Sequence, residues 1–258
     1  MILSMNRTAR LQSIKNYALY YGIGREQELV EFDMVIVEPK GQTKESIIRL
    51  KESGTLVLAY LSVMEIHASD PEAKLLRDAD FLTKKGQRLQ NPRYENWLAD
   101  LSSERWNSLL TRHAVELIND FKYDGLFLDT IGDVEGDFLD LEKRDLLLVA
   151  AAHLLRRFRS VFPEQILIQN CGMERLLHYT AQYIDGICWE NPCLEHRSWF
   201  QPIIDNLSRF KRELNLQVFF LLEENTNTRD MQTLVKRIAA EKGFLSYTAP
   251  SGYVSGIK

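Results

Sequence analysis

Acidic residues stand at the ends of several short apolar runs. Glu38 closes residues 34–38, Glu65 follows residues 56–63, Asp129 lies near the end of residues 125–130, and Glu190 and Glu223 close residues 184–190 and 217–223. Two carboxyl groups facing each other across a cleft can cut a glycosidic bond. One protonates the leaving oxygen, and the other attacks the sugar or activates water. Asp129 and Glu190 are the pair selected here, because each follows an apolar strand that would desolvate it and help to separate the two pKa values. A single strand-end acid can equally cap the next helix or pair with a Lys or Arg, so the weight rests on several acids at one level.

Groups suited to holding a sugar lie at or near the same run ends: Tyr20, Tyr21, Tyr60, Asn170, Trp189 and Tyr247. Aromatic faces stack on sugar rings, and an asparagine bridges hydroxyls or an acetamido group. Each aromatic taken singly serves equally well as packing between layers. Glu38, Glu65, Asn170, Glu223 and Tyr247 are expected to orient hydroxyl or amino groups of a bound sugar.

Clustered carboxylates also bind Mg²⁺ or Mn²⁺, so a divalent-metal hydrolase using Glu38, Glu65, Asp129 and Glu223 is one rival. A non-catalytic carbohydrate-binding barrel is another, since a fold does not guarantee chemistry. The five histidines, His67, His113, His153, His178 and His196, form neither His-x-His nor His-Glu-x-x-His, which argues against zinc. No Gly-x-Ser-x-Gly elbow and no phosphate loop occurs. The reading therefore assigns no metal and no cofactor.

The elements that must position these residues alternate. Eight apolar runs rich in β-branched and aromatic residues fall at 17–22, 34–38, 56–63, 125–130, 166–170, 184–190, 217–223 and 243–247. Between them lie segments of helical period. In residues 103–122, Trp106, Leu109, Leu110, Leu117, Ile118 and Phe121 form one apolar face entered from a serine cap. Further helices are expected at 43–53, 141–162, 174–180, 198–214 and 231–242, several of them stopped by Gly or Pro. No Gly-x-Gly-x-x-Gly turn follows the first run, and eight repeats match a single (β/α)8 TIM barrel spanning residues 1–258. Residues 66–101 are too long for a simple connection and predict an elaborated loop over the active face after the third strand.

Composition agrees with one soluble globular domain: 258 residues, 45% hydrophobic, 26% charged and a net charge of −4. The mild acidity argues against a nucleic-acid partner. No apolar run approaches the length of a membrane span. Residues 1–10 lack the apolar stretch of a secretory leader, so a cytoplasmic location is expected for the sequence as it begins, and a secreted one if a leader precedes it. Cys171, Cys188 and Cys193 are too few and too oddly spaced for a disulfide framework and read as buried or semi-buried thiols. The oligomeric state stays open.

The strand-end motifs resemble a known family. Phe32-Asp-Met-Val-Ile-Val-Glu-Pro39, Val57-Leu-Ala-Tyr-Leu-Ser-Val-Met-Glu65 and Trp97-Leu-Ala-Asp-Leu-Ser-Ser-Glu-Arg-Trp106 are similar to segments of glycoside hydrolase family 114. So are Tyr123-Asp-Gly-Leu-Phe-Leu-Asp-Thr130, Ile168-Gln-Asn170 and Asp185-Gly-Ile-Cys-Trp-Glu190. These are the endo-α-1,4-polygalactosaminidases and spherulin-4-like proteins. The resemblance implies a cofactor-free (β/α)8 hydrolase of α-1,4-linked galactosamine or N-acetylgalactosamine polymers. It further implies Asp129 as nucleophile and Glu190 as acid/base, with retention of configuration. Retention asks for carboxyl groups roughly 5 to 5.5 Å apart, inversion for roughly 6.5 to 9.5 Å. Met64 stands where the family usually has glycine, and this bulkier residue is expected to change the backbone or narrow a subsite.

Overall fold

The computed structural model describes residues 6–194, 196–226 and 228–257. Eight parallel strands form one sheet in sequence order: β1 Tyr17–Tyr20, β2 Met34–Val37, β3 Leu56–Ser62, β4 Gly125–Asp129, β5 Ile166–Asn170, β6 Gly186–Glu190, β7 Gln217–Glu223 and β8 Leu245–Ala249. β8 returns beside β1, so the sheet curls into a nearly closed (β/α)8 barrel. The last strand starts two residues later than expected, because Gly243 is the left-handed cap that ends the preceding helix, with φ +65°.

The helices are α1 Arg7–Ser13, α2 Glu26–Leu29, α3 Lys44–Glu52, α4 Glu104–Asn119, α5 Leu141–Val161, α6 Leu176–Thr180, α7 Arg197–Leu214 and α8 Arg229–Lys242. Ser103 caps α4 by accepting from the Trp106 amide at 3.2 Å, and the apolar face it opens is buried against the barrel. α1 precedes the barrel and locks its N-terminal end. From it, Arg7 reaches Asp185 at 2.8 Å and Arg10 reaches Asp124 at 2.6 Å. Arg159 adds a 2.6 Å pair to Asp185, and each aspartate also accepts a backbone amide of the neighbouring strand or its entry. Buried charges satisfied from several sides in this way are structural.

Inside the barrel, Tyr17, Phe127 and Phe219 are fully buried. The Tyr17 ring meets Phe219 edge-on at 5.0 Å, and its hydroxyl donates to the Phe220 carbonyl at 2.8 Å. This plug leaves the C-terminal end of the strands as the open face. The segment after β3 is indeed an excursion, made of two small antiparallel sheets. One has Asn96–Leu98 at its centre, paired with Glu65–His67 on one side and Gln90–Asn91 on the other, and the second pairs Thr83–Lys84 with Gln87–Arg88.

Candidate active site

Strand alternation turns Asp129, Asn170 and Glu190 inward at the ends of three adjacent strands. In each case the next residue takes a left-handed backbone: Thr130 at φ +60°, Cys171 at φ +61° and Asn191 at φ +44°. None is glycine, so Thr130 and Cys171 are held there against their own preference, whereas asparagine tolerates the region better. Thr130 is held by its hydroxyl, which accepts the amides of Val63 at 3.1 Å and Met64 at 2.8 Å. Asn191 accepts the Glu223 amide at 2.8 Å. Gly132, further along the same turn, lets the backbone approach Cys171, whose Cβ would lie 2.6 Å from an added methyl group.

The two selected carboxylates share one donor. The Asn170 side-chain nitrogen Nδ2 lies 2.6 Å from Asp129 Oδ1 and 2.8 Å from Glu190 Oε2. Those two oxygens therefore lie no more than about 5.4 Å apart, short of the roughly 6.5 to 9.5 Å of an inverting pair. The other oxygen of Glu190, Oε1, accepts the Tyr253 hydroxyl at 2.6 Å. Burial, and then the negative charge of Asp129, push the Glu190 carboxyl above its ordinary value, against the hydrogen bonds from Tyr253 and Asn170. Burial, and then the negative charge of Asp129, raise the Tyr60 phenol and keep it protonated.

The pair lies in a cavity of about 480 Å³. Tyr21, Glu38, Tyr60, Glu65 and Glu223 also line it. Glu65 accepts amide donors of the excursion, Asn91 at 2.6 Å and Asn96 at 2.8 Å. Asp133 is pushed up to about 7, first by burial and then by the charges of Glu65 and Asp129. Glu223 accepts from Gly252 at 2.6 Å and Thr226 at 2.9 Å, and Glu38 caps the Pro39–Gly41 turn at 3.2 Å. The four acids of the metal-dependent rival are thus engaged by protein donors. Among the described residues, no group of three or more His, Cys, Asp or Glu is placed to hold a metal ion.

Three expected sugar contacts are not there. Trp189 alternates outward from Glu190 and packs at 5.9 Å on Trp199 of α7 and on Phe220. Tyr247 points into the barrel one step below the mouth, against Tyr17 at 5.7 Å, because β8 starts later than expected. Tyr20 likewise turns outward, and its hydroxyl donates to the Ile23 carbonyl at 3.2 Å. Met64 is buried with an ordinary backbone and lies outside the cleft, so it neither strains the turn nor narrows a subsite. Cys193 is exposed rather than buried, and all three cysteines are free.

The cleft also contains residues the sequence reading passed over: Asn91, Arg93, Tyr94 and Asn96 of the excursion, Asp133, and Tyr253 beyond β8. They sit between the barrel strands rather than at their ends, where apolar periodicity carries no signal.

The profile of glycoside-hydrolase family GH114 matches residues 6–195. The chain belongs to glycoside-hydrolase family GH114. Membership of GH114 makes it a glycosidase with a carbohydrate substrate. Solved structures show the same fold. The glycoside hydrolase domain of PelA from Pseudomonas aeruginosa is 20% identical, with 95% of this chain and 100% of that chain covered and a TM-score of 0.76. Aspergillus fumigatus Ega3, solved in complex with galactosamine, is 13% identical over 94% of this chain and 93% of that chain, with a TM-score of 0.69. The α-galactosidase TtGalA from Thermus thermophilus is 15% identical over 93% of this chain and 59% of that chain, with a TM-score of 0.62. None of the curated proteins matches this GH114 chain in sequence. No helix of the described residues is long and apolar enough to cross a membrane.

Proposed function

We propose that this GH114 chain hydrolyses α-1,4-linked galactosamine polysaccharide, free or N-acetylated, by double displacement at Asp129 and Glu190. The observation that carries the reading is the single Asn170 amide bridging both carboxylates, which keeps the bridged oxygens no more than about 5.4 Å apart and so favours a retaining over an inverting pair. Asp129 attacks the anomeric carbon while Glu190 gives its proton to the leaving glycosidic oxygen. Glu190 then takes a proton from water, the resulting hydroxide displaces Asp129, and the α configuration is restored. The raised Glu190 carboxyl supports the acid role, because a proton must be held there when substrate arrives.

The choice of an amino sugar rests on charge and on likeness. Glu38, Glu65, Asp129, Asp133, Glu190 and Glu223 line the cavity, and among its described wall residues Arg93 is the one Lys or Arg. Such a site favours a polymer bearing ammonium groups. The galactosamine bound by Ega3 points the same way. An adjoining cavity of about 210 Å³ shares Glu38, Tyr60, Glu65 and Asn96 with the first and leaves room for a neighbouring sugar.

The test is reducing-end release from α-1,4-polygalactosamine and its N-acetylated form by wild type, Asp129→Asn and Glu190→Gln, each verified as folded. Turnover by wild type and loss of at least about 10³-fold in both variants is expected. Binding without turnover by wild type would favour a carbohydrate-binding barrel.

A further inference from the structure

The stretch after β8 is built to deliver one side chain. Following Pro250, two consecutive residues, Gly252 at φ +68° and Tyr253 at φ +59°, take left-handed backbone. A tyrosine in that region is held at a cost, and such strain persists only where the surroundings over-determine it. The surroundings do so. The Gly252 amide donates to Glu223 Oε1 at 2.6 Å, and the Tyr21 amide donates to the Tyr253 carbonyl at 2.8 Å. The Tyr253 ring packs edge-on to Tyr21 at 5.5 Å, and Asn191 Nδ2 donates to its phenolic oxygen at 3.3 Å. With one donor already supplied by Asn191, the hydroxyl proton is directed to Glu190 Oε1, 2.6 Å away.

We propose that Tyr253 is the positioning residue for Glu190, its hydroxyl fixing Oε1 so that the carboxyl keeps one orientation while its proton comes and goes. The proposal rests on the reading of Glu190 as acid/base, and it assigns a role to a segment outside residues 6–195 that the family profile matches. The strap carrying Tyr253 and the strand carrying Glu190 are joined twice, through Asn191 and through Glu223, so displacement of the strap is felt at the carboxyl. The other titratable groups acting on or feeling Glu190 come from every wall: Tyr17 and Tyr21 from β1 and its end, Asp129 from β4, Cys171 and Cys188 from β5 and β6, Glu223 from β7, and Tyr94 from the excursion. Asp129 and Glu223 push the carboxyl up, whereas Tyr253 pulls it down. Removing the hydroxyl therefore moves the Glu190 titration to higher pH.

The experiment compares wild type with Tyr253→Phe, which deletes one oxygen and keeps the ring. On an α-1,4-linked galactosamine oligosaccharide, kcat should fall about tenfold or more while KM changes less than about twofold. The alkaline limb of the pH profile should move up by about one unit. A second measurement needs no substrate: the side-chain carboxyl carbon of Glu190 is followed by NMR through a pH titration, its signal assigned by its loss in Glu190→Gln. An upward midpoint shift in Tyr253→Phe is expected. An unmoved midpoint, or an unmoved alkaline limb, would overturn the positioning role. Failure of wild type to cleave the oligosaccharide while the midpoint still moves would overturn the substrate reading and leave the role of Tyr253 standing.

Discussion

At the scale of single residues, the site depends on donors that hold carboxylates at a set spacing. Asn170 is the shared donor, so Asn170→Ala should lower kcat by about 10²-fold, with both carboxyl groups freed to separate. Steady-state kinetics on the purified variant checks this. Asp133 makes a different prediction. Its carboxyl is ordinarily 3.8 and is raised to about 7 in the folded chain, so the folded state binds the extra proton between those values. Stability therefore falls as pH rises through that window, with the sign opposite to that of a salt-bridged acid. Asp133→Asn should gain thermal stability over wild type progressively from about pH 4 to pH 7, measured as the difference in Tm. The placement of Asp129 and Glu190 at the barrel mouth was legible in the sequence because each ends an apolar strand. Trp189 and Tyr247 were misplaced for reasons of phase: Trp189 is one residue from Glu190 and so faces the other side, and Tyr247 depended on a strand end that Gly243 shifts. Tyr253 was not legible, because its approach is made by two left-handed residues and not by a periodic element.

At the scale of elements, the eight strands and most helices were legible because each is short, bounded by Gly, Pro or a cap, and strongly periodic. The Asp124-Gly125 and Asp185-Gly186 pairs resemble site motifs in sequence but sit at the opposite, N-terminal end of their strands. There the acids are neutralised by Arg7, Arg10, Lys51 and Arg159. Asp185→Ala would take the carboxylate partner from the partly buried Arg159 and from Arg7, and should cost about 3 kcal/mol of stability. Denaturant unfolding measures the loss, and KM of the remaining folded enzyme should not change. Trp189→Ala should behave similarly, losing about 3 to 5 kcal/mol through the cavity left beneath α7. A rise in KM for Trp189→Ala without loss of stability would instead return that ring to the sugar site. The excursion was expected as a long insertion over the active face, but its contribution of Asn91 and Asn96 to Glu65 follows from antiparallel pairing, which no local pattern announces.

At the scale of the whole molecule, a net charge of −4 is small, whereas Glu38, Glu65, Asp129 and Glu223 gather negative charge in one cleft where a polymer would lie. Field focused in this way raises the encounter rate with a cation and is screened by salt. For deacetylated polygalactosamine, kcat/KM should therefore fall several-fold between about 0.01 and 0.15 M salt, and for the fully N-acetylated polymer it should change little. The central claim, double displacement at a carboxylate pair held by one amide, is tested most directly by the configuration of the first sugar released. Proton NMR recorded in the first minutes of hydrolysis, before mutarotation, should show the α anomer at the new reducing end. A β anomer at that stage would mean a single inverting displacement and would contradict the spacing on which the account rests.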